Sequence, residues 1–166
     1  MTDIYVSIGS NLDREHHIRT AINELQHRFG ELRLSSVFDS VAVGFDGQPF
    51  LNLVVYFRSN ETAQAVQQFL TELEDKHGRN RALPKFSNRT LDLDLLLYGN
   101  QILDENGLKL PREEILKHAF VLAPLAQLAG EVLHPQVHKS YATLWEEFND
   151  TEQRLVEIPF SWSHQD

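Results

Sequence analysis

Asp92 and Asp94 stand two residues apart in the stretch 90–98, T-L-D-L-D-L-L-L-Y, where leucines alternate with polar residues at its start. In an extended strand alternate side chains share a face, so both carboxylates project the same way, about 7 Å apart by strand rise. Carboxylates that close repel unless a cation sits between them. Magnesium suits the position, because it takes oxygen ligands and fills its shell with water and phosphate oxygens. Just upstream lie Arg79, Arg81, Lys85 and Arg89 with no acidic residue among them, in a chain of formal net charge −9. The arginine fork matches phosphate oxygens two at a time, and a loop carrying it can close over a nucleotide. Each signal alone has a plainer reading, a solvated acidic strand face and a solvated basic loop. Side by side they form the two halves of a phosphoryl-transfer site.

The elements that must position these groups follow from the periodicity. Ile4, Val6 and Ile8 alternate as a strand; Ile18, Ala21, Ile22, Leu25 and Phe29 recur at helical spacing over 13–29, with Gly30 placed to end the helix. A second strand is predicted over 32–43, then loop chemistry at 44–49. The strongest strand is 50–57, with Leu51, Leu53, Val55 and Phe57 on one face and Phe50, Asn52, Val54 and Tyr56 on the other. A helix beginning near Asn60 or Thr62 runs to Gly78, the basic loop follows, and the strand 90–98, with Leu91, Leu93, Leu95 and Leu97 on one face, closes a β-α-β-β-α-β order. The expected fold is therefore α+β: a ferredoxin-like, antiparallel βαββαβ sheet with helices packed on it. C-terminal additions are predicted as a short strand at 101–103, a turn at Leu110-Pro111, helices at 113–118, 121–128 and 141–148, and a strand at 155–158.

Composition narrows the functions. With 166 residues, 42% hydrophobic and 23% charged, a single soluble domain spanning 1–166 is expected. The absence of cysteine excludes disulfides and thiolate chemistry. No signal peptide or membrane-length apolar run is evident, so a cytoplasmic location is expected and no membrane partner. The acidic balance argues against nucleic acid as partner, including the RNA-binding modules that share this topology. No G-x-x-x-x-G-K-[ST] motif is present, so the phosphate site is not a P-loop. His16-His17 and the His134/His138 pair read as surface histidines, with Pro135 interrupting the second pair.

The segment Arg89-Thr90-Leu91-Asp92-Leu93-Asp94-Leu95 resembles the signature of the 6-hydroxymethyl-7,8-dihydropterin pyrophosphokinase family. The resemblance extends over nearly the whole chain, through Ile8-Gly9-Ser10-Asn11-Leu12, Phe50-Leu51-Asn52, Gly78-Arg79-Asn80-Arg81 and Phe120-Val121-Leu122-Ala123-Pro124-Leu125. It implies transfer of the two terminal phosphates of ATP to the hydroxymethyl group of a reduced pterin, with AMP released, in folate biosynthesis, by a monomer. Asp92 and Asp94 would hold two magnesium ions. Arg79, Arg81 and Arg89 would bind the phosphate chain, with Glu74, Leu95, Arg112 and His118 completing the ATP site. Phe50 and Phe120 would sandwich the pterin, Asn52 would read its edge, and Ser40, Val41 and Val43 would finish the pocket.

The chain departs from the family pattern at Arg112, where a histidine is usual, and at His118, where an arginine is usual, as if the two types were exchanged. Phe86 stands where some members carry tryptophan, and Ser40-Val41-Ala42 lacks the usual proline. The competing reading is a diverged paralogue that binds ATP or pterin with little transfer.

Overall fold

The computed structural model describes residues 1–40, 49–78, 91–149 and 153–162. Its elements in order are β1 (Thr2–Ser10), α1 (Arg14–Phe29), β2 (Arg33–Leu34), β3 (Val37–Ser40), β4 (Phe50–Ser59), α2 (Ala63–Lys76), β5 (Asp92–Tyr98), β6 (Leu103–Glu105), β7 (Leu108–Leu110), a single 3-10 turn (Glu113–Leu116), α3 (Ala119–Ala129), α4 (Tyr141–Glu147) and β8 (Leu155–Ile158). Six strands form one antiparallel sheet in the order β5-β1-β4-β3-β8, with β2 also paired to β4. This is the split βαβ arrangement expected from the order of elements, extended at one edge by β8.

Two apolar layers sandwich the sheet. Under α1 and α2, Ile4, Val6 and Ile8 of β1 meet Leu51, Leu53, Val55 and Phe57 of β4, together with Ile18, Leu25, Val66, Leu70 and Leu73 of the helices. On the opposite face, Tyr5, Val54, Leu96 and Leu97 pack against Val121, Leu122 and Leu125 of α3, with Tyr141 of α4. The helices start where their caps allow: Thr62 accepts the Ala65 N–H at the head of α2, and Ser140 accepts the Thr143 N–H at the head of α4.

Several boundaries differ from the sequence reading for identifiable reasons. The predicted strand 32–43 is broken. Between the Leu34–Val55 and Phe38–Asn52 pairs the first strand holds one residue more than β4, and Ser35 Oγ takes the Val54 N–H at 2.9 Å. That is a bulge, in which a hydroxyl replaces a ladder carbonyl. A second bulge lies in β5: Tyr5 pairs with Leu97 and Val6 with Leu95, so Leu96 is left out of the ladder. It shifts the alternation by one, so Leu91, Leu93 and Leu95 share the helix-side core while Leu97 joins the α3 side. The expectation of four leucines on one face is thereby corrected. A strand was predicted only at 101–103. The structure has a hairpin, β6 against β7, whose turn residues Asn106 and Gly107 take φ of 53° and 78°. Asn-Gly is the residue pair such a turn favours, because both positions need positive φ.

Candidate active site

The pairing of three adjacent strands builds the site. Asp92 of β5 lies opposite Gly9 of β1, Gly9 lies opposite Asn52 of β4, and Asn52 lies opposite Phe38 of β3. The next row on this face joins Asp94, Ser7 and Val54. Side chains in one cross-strand row point to one face. Asp92, Asp94, Asn52 and, two residues before Asn52, Phe50 therefore share the α3 side of the sheet.

Gly9 gives the row its shape. A Cβ added there would sit 2.7 Å from Asn52 Oδ1 and 3.5 Å from a ring carbon of Phe50. The missing side chain lets the Asn52 amide lie directly over the β1 backbone, in the row that also carries Asp92. From sequence, Gly9-Ser10-Asn11 reads as a turn; β1 instead continues through Ser10, and a glycine inside an apolar strand signals such a close approach. Asn52 is 3% exposed, and its Nδ2 donates to Ser40 Oγ at 2.9 Å. Ser40 thus sets the orientation of the amide that was expected to read a pterin edge. Phe120 opens α3, and its ring is stacked with that of His118, 4.8 Å between centroids and 13° between planes.

The charged half is tightly coupled. Arg112 Nη2 donates to Asp94 Oδ1 at 2.8 Å, and its Nε donates to Glu114 Oε2 at 2.7 Å. Its main-chain N–H donates to the carbonyl of Leu96, the bulged residue. Burial, and then the charge of Asp92, push the Asp94 carboxyl up to about 7; Arg112 pulls the other way, and Glu74 and Glu114 add to the rise. Burial works against the Arg112 charge, but Asp94, Glu114 and Asp92 outweigh it and hold its pKa above the ordinary value. Glu74 of α2 is 4% exposed, and its Oε2 accepts the Leu93 N–H at 2.8 Å, which ties the helix to the edge of β5. Glu114 had no signal in the sequence beyond lying two residues from Arg112.

The expected site residues thus fall into three groups. Asp92, Asp94, Arg112 and Glu74 gather at β5, and Ser40, Phe50 and Asn52 gather across Gly9, with Phe120 and His118 at the head of α3. The exchanged residues part company, Arg112 onto Asp94 and His118 onto Phe120. Leu95 is fully buried in the helix-side core, so only its main chain is available to the site. Arg79, Arg81, Lys85, Phe86, Arg89, Val41 and Val43 lie outside the described residues.

Among the described residues no group of three or more His, Asp or Glu side chains is arranged to hold a metal ion. Asp92 and Asp94 nonetheless fit magnesium, which protein sites bind through one or two carboxylates with phosphate and water oxygens for the rest. Burial is the first cause of the raised Asp94 pKa and the Asp92 charge the second, and an ion between the two carboxylates would relieve that second part. Among the described residues no helix is long and apolar enough to cross a membrane.

Comparison with known proteins identifies the family and the fold. The family model for 7,8-dihydro-6-hydroxymethylpterin-pyrophosphokinase matches residues 5–130. The chain is 38% identical over 137 residues to the 2-amino-4-hydroxy-6-hydroxymethyldihydropteridine pyrophosphokinase of Pseudomonas aeruginosa, covering 80% of this chain and 83% of that one. It is 31% identical over 141 residues to the enzyme of the same name from Aquifex aeolicus, covering 84% and 88%. The folic acid synthesis protein fol1 of Pneumocystis carinii is 30% identical over 164 residues, which are 97% of this chain but only 22% of the fungal protein. Among solved structures, wild-type HPPK-DHPS of Plasmodium falciparum superimposes with a TM-score of 0.69 at 10% identity, over 88% of this chain and 44% of that one. At that identity the likeness speaks for the fold alone. By family model and by relatives covered over most of their length, the chain belongs to the 7,8-dihydro-6-hydroxymethylpterin-pyrophosphokinase family.

Proposed function

We propose that this protein transfers diphosphate from ATP to the hydroxymethyl group of 6-hydroxymethyl-7,8-dihydropterin, releasing AMP, a diphosphokinase step of folate biosynthesis. The observation that carries this reading is the Asp92–Gly9–Asn52 row, which sets the acidic pair and the amide on one face, with the Asn52 amide lying against the bare Gly9 backbone between the two strands. A flat heteroaromatic substrate needs ring faces and a few polar readers. Phe50 and Phe120 supply the faces, and Asn52, held by Ser40, supplies the reader; Val41 and Val43 are assigned to the same pocket by the family resemblance alone. The substrate hydroxyl oxygen forms the new bond to the β-phosphorus while the bond from that phosphorus to the AMP oxygen breaks. The hydroxyl proton leaves to solvent or phosphate.

Such a transfer depends on alignment and on neutralising phosphate oxygens more than on a strong base. Asp92 and Asp94 hold the divalent ions, two in our reading, and magnesium when bound neutralises the phosphate oxygens and orients them. Arg79, Arg81, Arg89 and Arg112 contact the phosphate chain, and Glu74 keeps β5 in place beside the nucleotide. His118, stacked on Phe120, joins the nucleotide side to the pterin side, and the Leu95 main chain lines the ATP site. We read residues 1–166 as one domain, acting as a cytoplasmic monomer.

The test is direct. Incubation with ATP, magnesium and 6-hydroxymethyl-7,8-dihydropterin should yield AMP and the pterin diphosphate in equal amounts. Binding of both ligands without AMP formation would sink the transferase reading and leave the diverged binding paralogue in its place.

A further inference from the structure

The acidic pair already has a cation of its own. The Arg112 guanidinium spans Asp94 at 2.8 Å and Glu114 at 2.7 Å, with the three side chains only 14–25% exposed. At that degree of burial charge contacts are stronger than on an open surface. The arginine is also fixed from behind. Its N–H is bound to the Leu96 carbonyl at the bulge, and its own carbonyl accepts the Ile115 N–H of the following 3-10 turn. Asp94 Oδ1 is thus taken by a side chain that the fold delivers to it. Arg112 uses Nε on one carboxylate and Nη2 on the other, although a guanidinium carries five donors in all.

We propose that Arg112 is a displaceable counter-ion that keeps Asp94 closed to a divalent ion until phosphate arrives, and that Glu114 is the pivot on which it turns. When a nucleotide phosphate chain enters, the Nη groups exchange Asp94 for phosphate oxygens while Nε stays on Glu114. The freed Asp94 oxygen then takes the ion. The exchange is favourable on both sides, because phosphate accepts the guanidinium fork in a bidentate contact and Asp94 gains a dication for a monocation. Ion and nucleotide each raise the affinity of the other, as linkage requires. This rests on the reading that Asp92 and Asp94 take the ion, and deepens it by naming what holds the site before loading. The competing account is a static ion pair that braces the end of β5.

The experiment is an equilibrium titration with Mn2+, reading the free ion by electron paramagnetic resonance, without nucleotide and then with α,β-methylene-ATP, so that no turnover is involved. Without nucleotide, Arg112→Gln should bind Mn2+ roughly tenfold tighter than the unaltered protein, the weight of a hydrogen bond to a charged group. Arg112→Lys keeps the charge and should stay near the unaltered protein. Glu114→Gln leaves the arginine to Asp94 alone and should bind Mn2+ more weakly. With the analogue present, the advantage of Arg112→Gln should vanish. Adding Asp94→Asn to Arg112→Gln should abolish the tight site. Equal affinities of the unaltered protein and Arg112→Gln without nucleotide overturn the counter-ion while leaving the transferase reading intact. So does an advantage of the same size with and without the analogue, which is what a static ion pair gives. Should Arg112→Gln fail to fold, Glu114→Gln decides, and an affinity equal to the unaltered protein's overturns the proposal. No Mn2+ binding by any variant, even with the analogue, overturns the metal reading as well.

Discussion

The face of the sheet beneath α1 and α2 and the face beneath α3 are made from the same strands and carry opposite solutions to burial. On the first, the residues that β1, β4 and β5 direct inward are apolar: Ile4, Val6, Ile8, Leu51, Leu53, Val55, Phe57, Leu93 and Leu95 are all 0–1% exposed. On the second, the apolar cluster of Tyr5, Val54, Leu96 and Leu97 gives way along the strands to Ser7, Gly9, Asn52, Asp92 and Asp94. The first face holds the fold and the second spends part of its area on polar groups that need partners. Those partners come from a neighbouring strand for Asn52, through Ser40 at the end of β3, and from outside the sheet for Asp94, through Arg112. Stability and chemistry are thus separated by the thickness of one sheet, because strand alternation sends neighbouring residues to different environments.

Substitutions on the two faces should therefore fail differently. The largest effect is expected at Asp94→Asn, which should lower turnover by roughly a thousandfold, the scale for losing one group that stabilises transition-state charge. Its far-ultraviolet circular dichroism should stay that of the unaltered protein, and unchanged turnover would show that Asp94 serves only its ion pair with Arg112. On the apolar face, Leu53→Ala should cost about 2–5 kcal/mol in denaturant unfolding, the range for a buried leucine that leaves a cavity. Its kcat/KM per folded molecule should be unaffected; a parallel loss of activity would break the division between faces.

Gly9→Ala tests the junction between the two halves. The added methyl must push the Asn52 amide, 2.7 Å away, out of line. KM for the pterin should rise about ten- to a hundredfold, the scale of an ångström of misplacement, with KM for ATP little changed. Equal rises in both would mean that the row itself has shifted.

The smallest effect concerns pH, on the α1–α2 side. His17 of α1 and His77 at the end of α2 meet through their Nδ1 atoms. Burial lowers both pKa values; His16 lowers His17 further against Asp13, and His17, His16 and Lys76 lower His77 further against Glu24. The unfolded chain thus takes up protons below about pH 6.5 that the folded chain refuses. Their contribution is intact above that pH and is lost as pH falls through the window down to the depressed folded values. His77→Gln should flatten the acid limb of a stability-against-pH curve without altering the plateau above pH 7. A limb of unchanged slope would assign the acid sensitivity elsewhere.

The fold was readable to the extent that periodicity carried it. The strand 50–57 and the helix 13–29 have one apolar residue per expected position, and the structure returns β4 and α1 over nearly those spans. Periodicity could not show the two bulges, because an extra residue in a ladder is visible only when the partner strand is beside it. Hence the mistaken grouping of Leu97 with Leu91, Leu93 and Leu95. The β6–β7 hairpin did have a local signal in Asn106-Gly107, and its omission was a missed turn rather than a hidden one. In the site, Asp92, Asp94, Phe50 and Asn52 were legible because alternation assigns their faces from sequence alone. Glu114 was not, since nothing in its position says that a neighbouring arginine turns back to meet it.

By itself the sequence determined the alternation that sends Asp92 and Asp94 one way and Leu93 and Leu95 the other, the order of the principal strands and helices, and the family to which the chain belongs. These are local properties, set by residue type and spacing. Only the tertiary structure decided which residues of different strands share a row, and so that Gly9 separates Asp92 from Asn52. It alone placed Arg112, rather than His118, on Asp94, because that contact depends on a bulge carbonyl in β5 and a turn some eighteen residues later, and sequence spacing does not encode their distance in space.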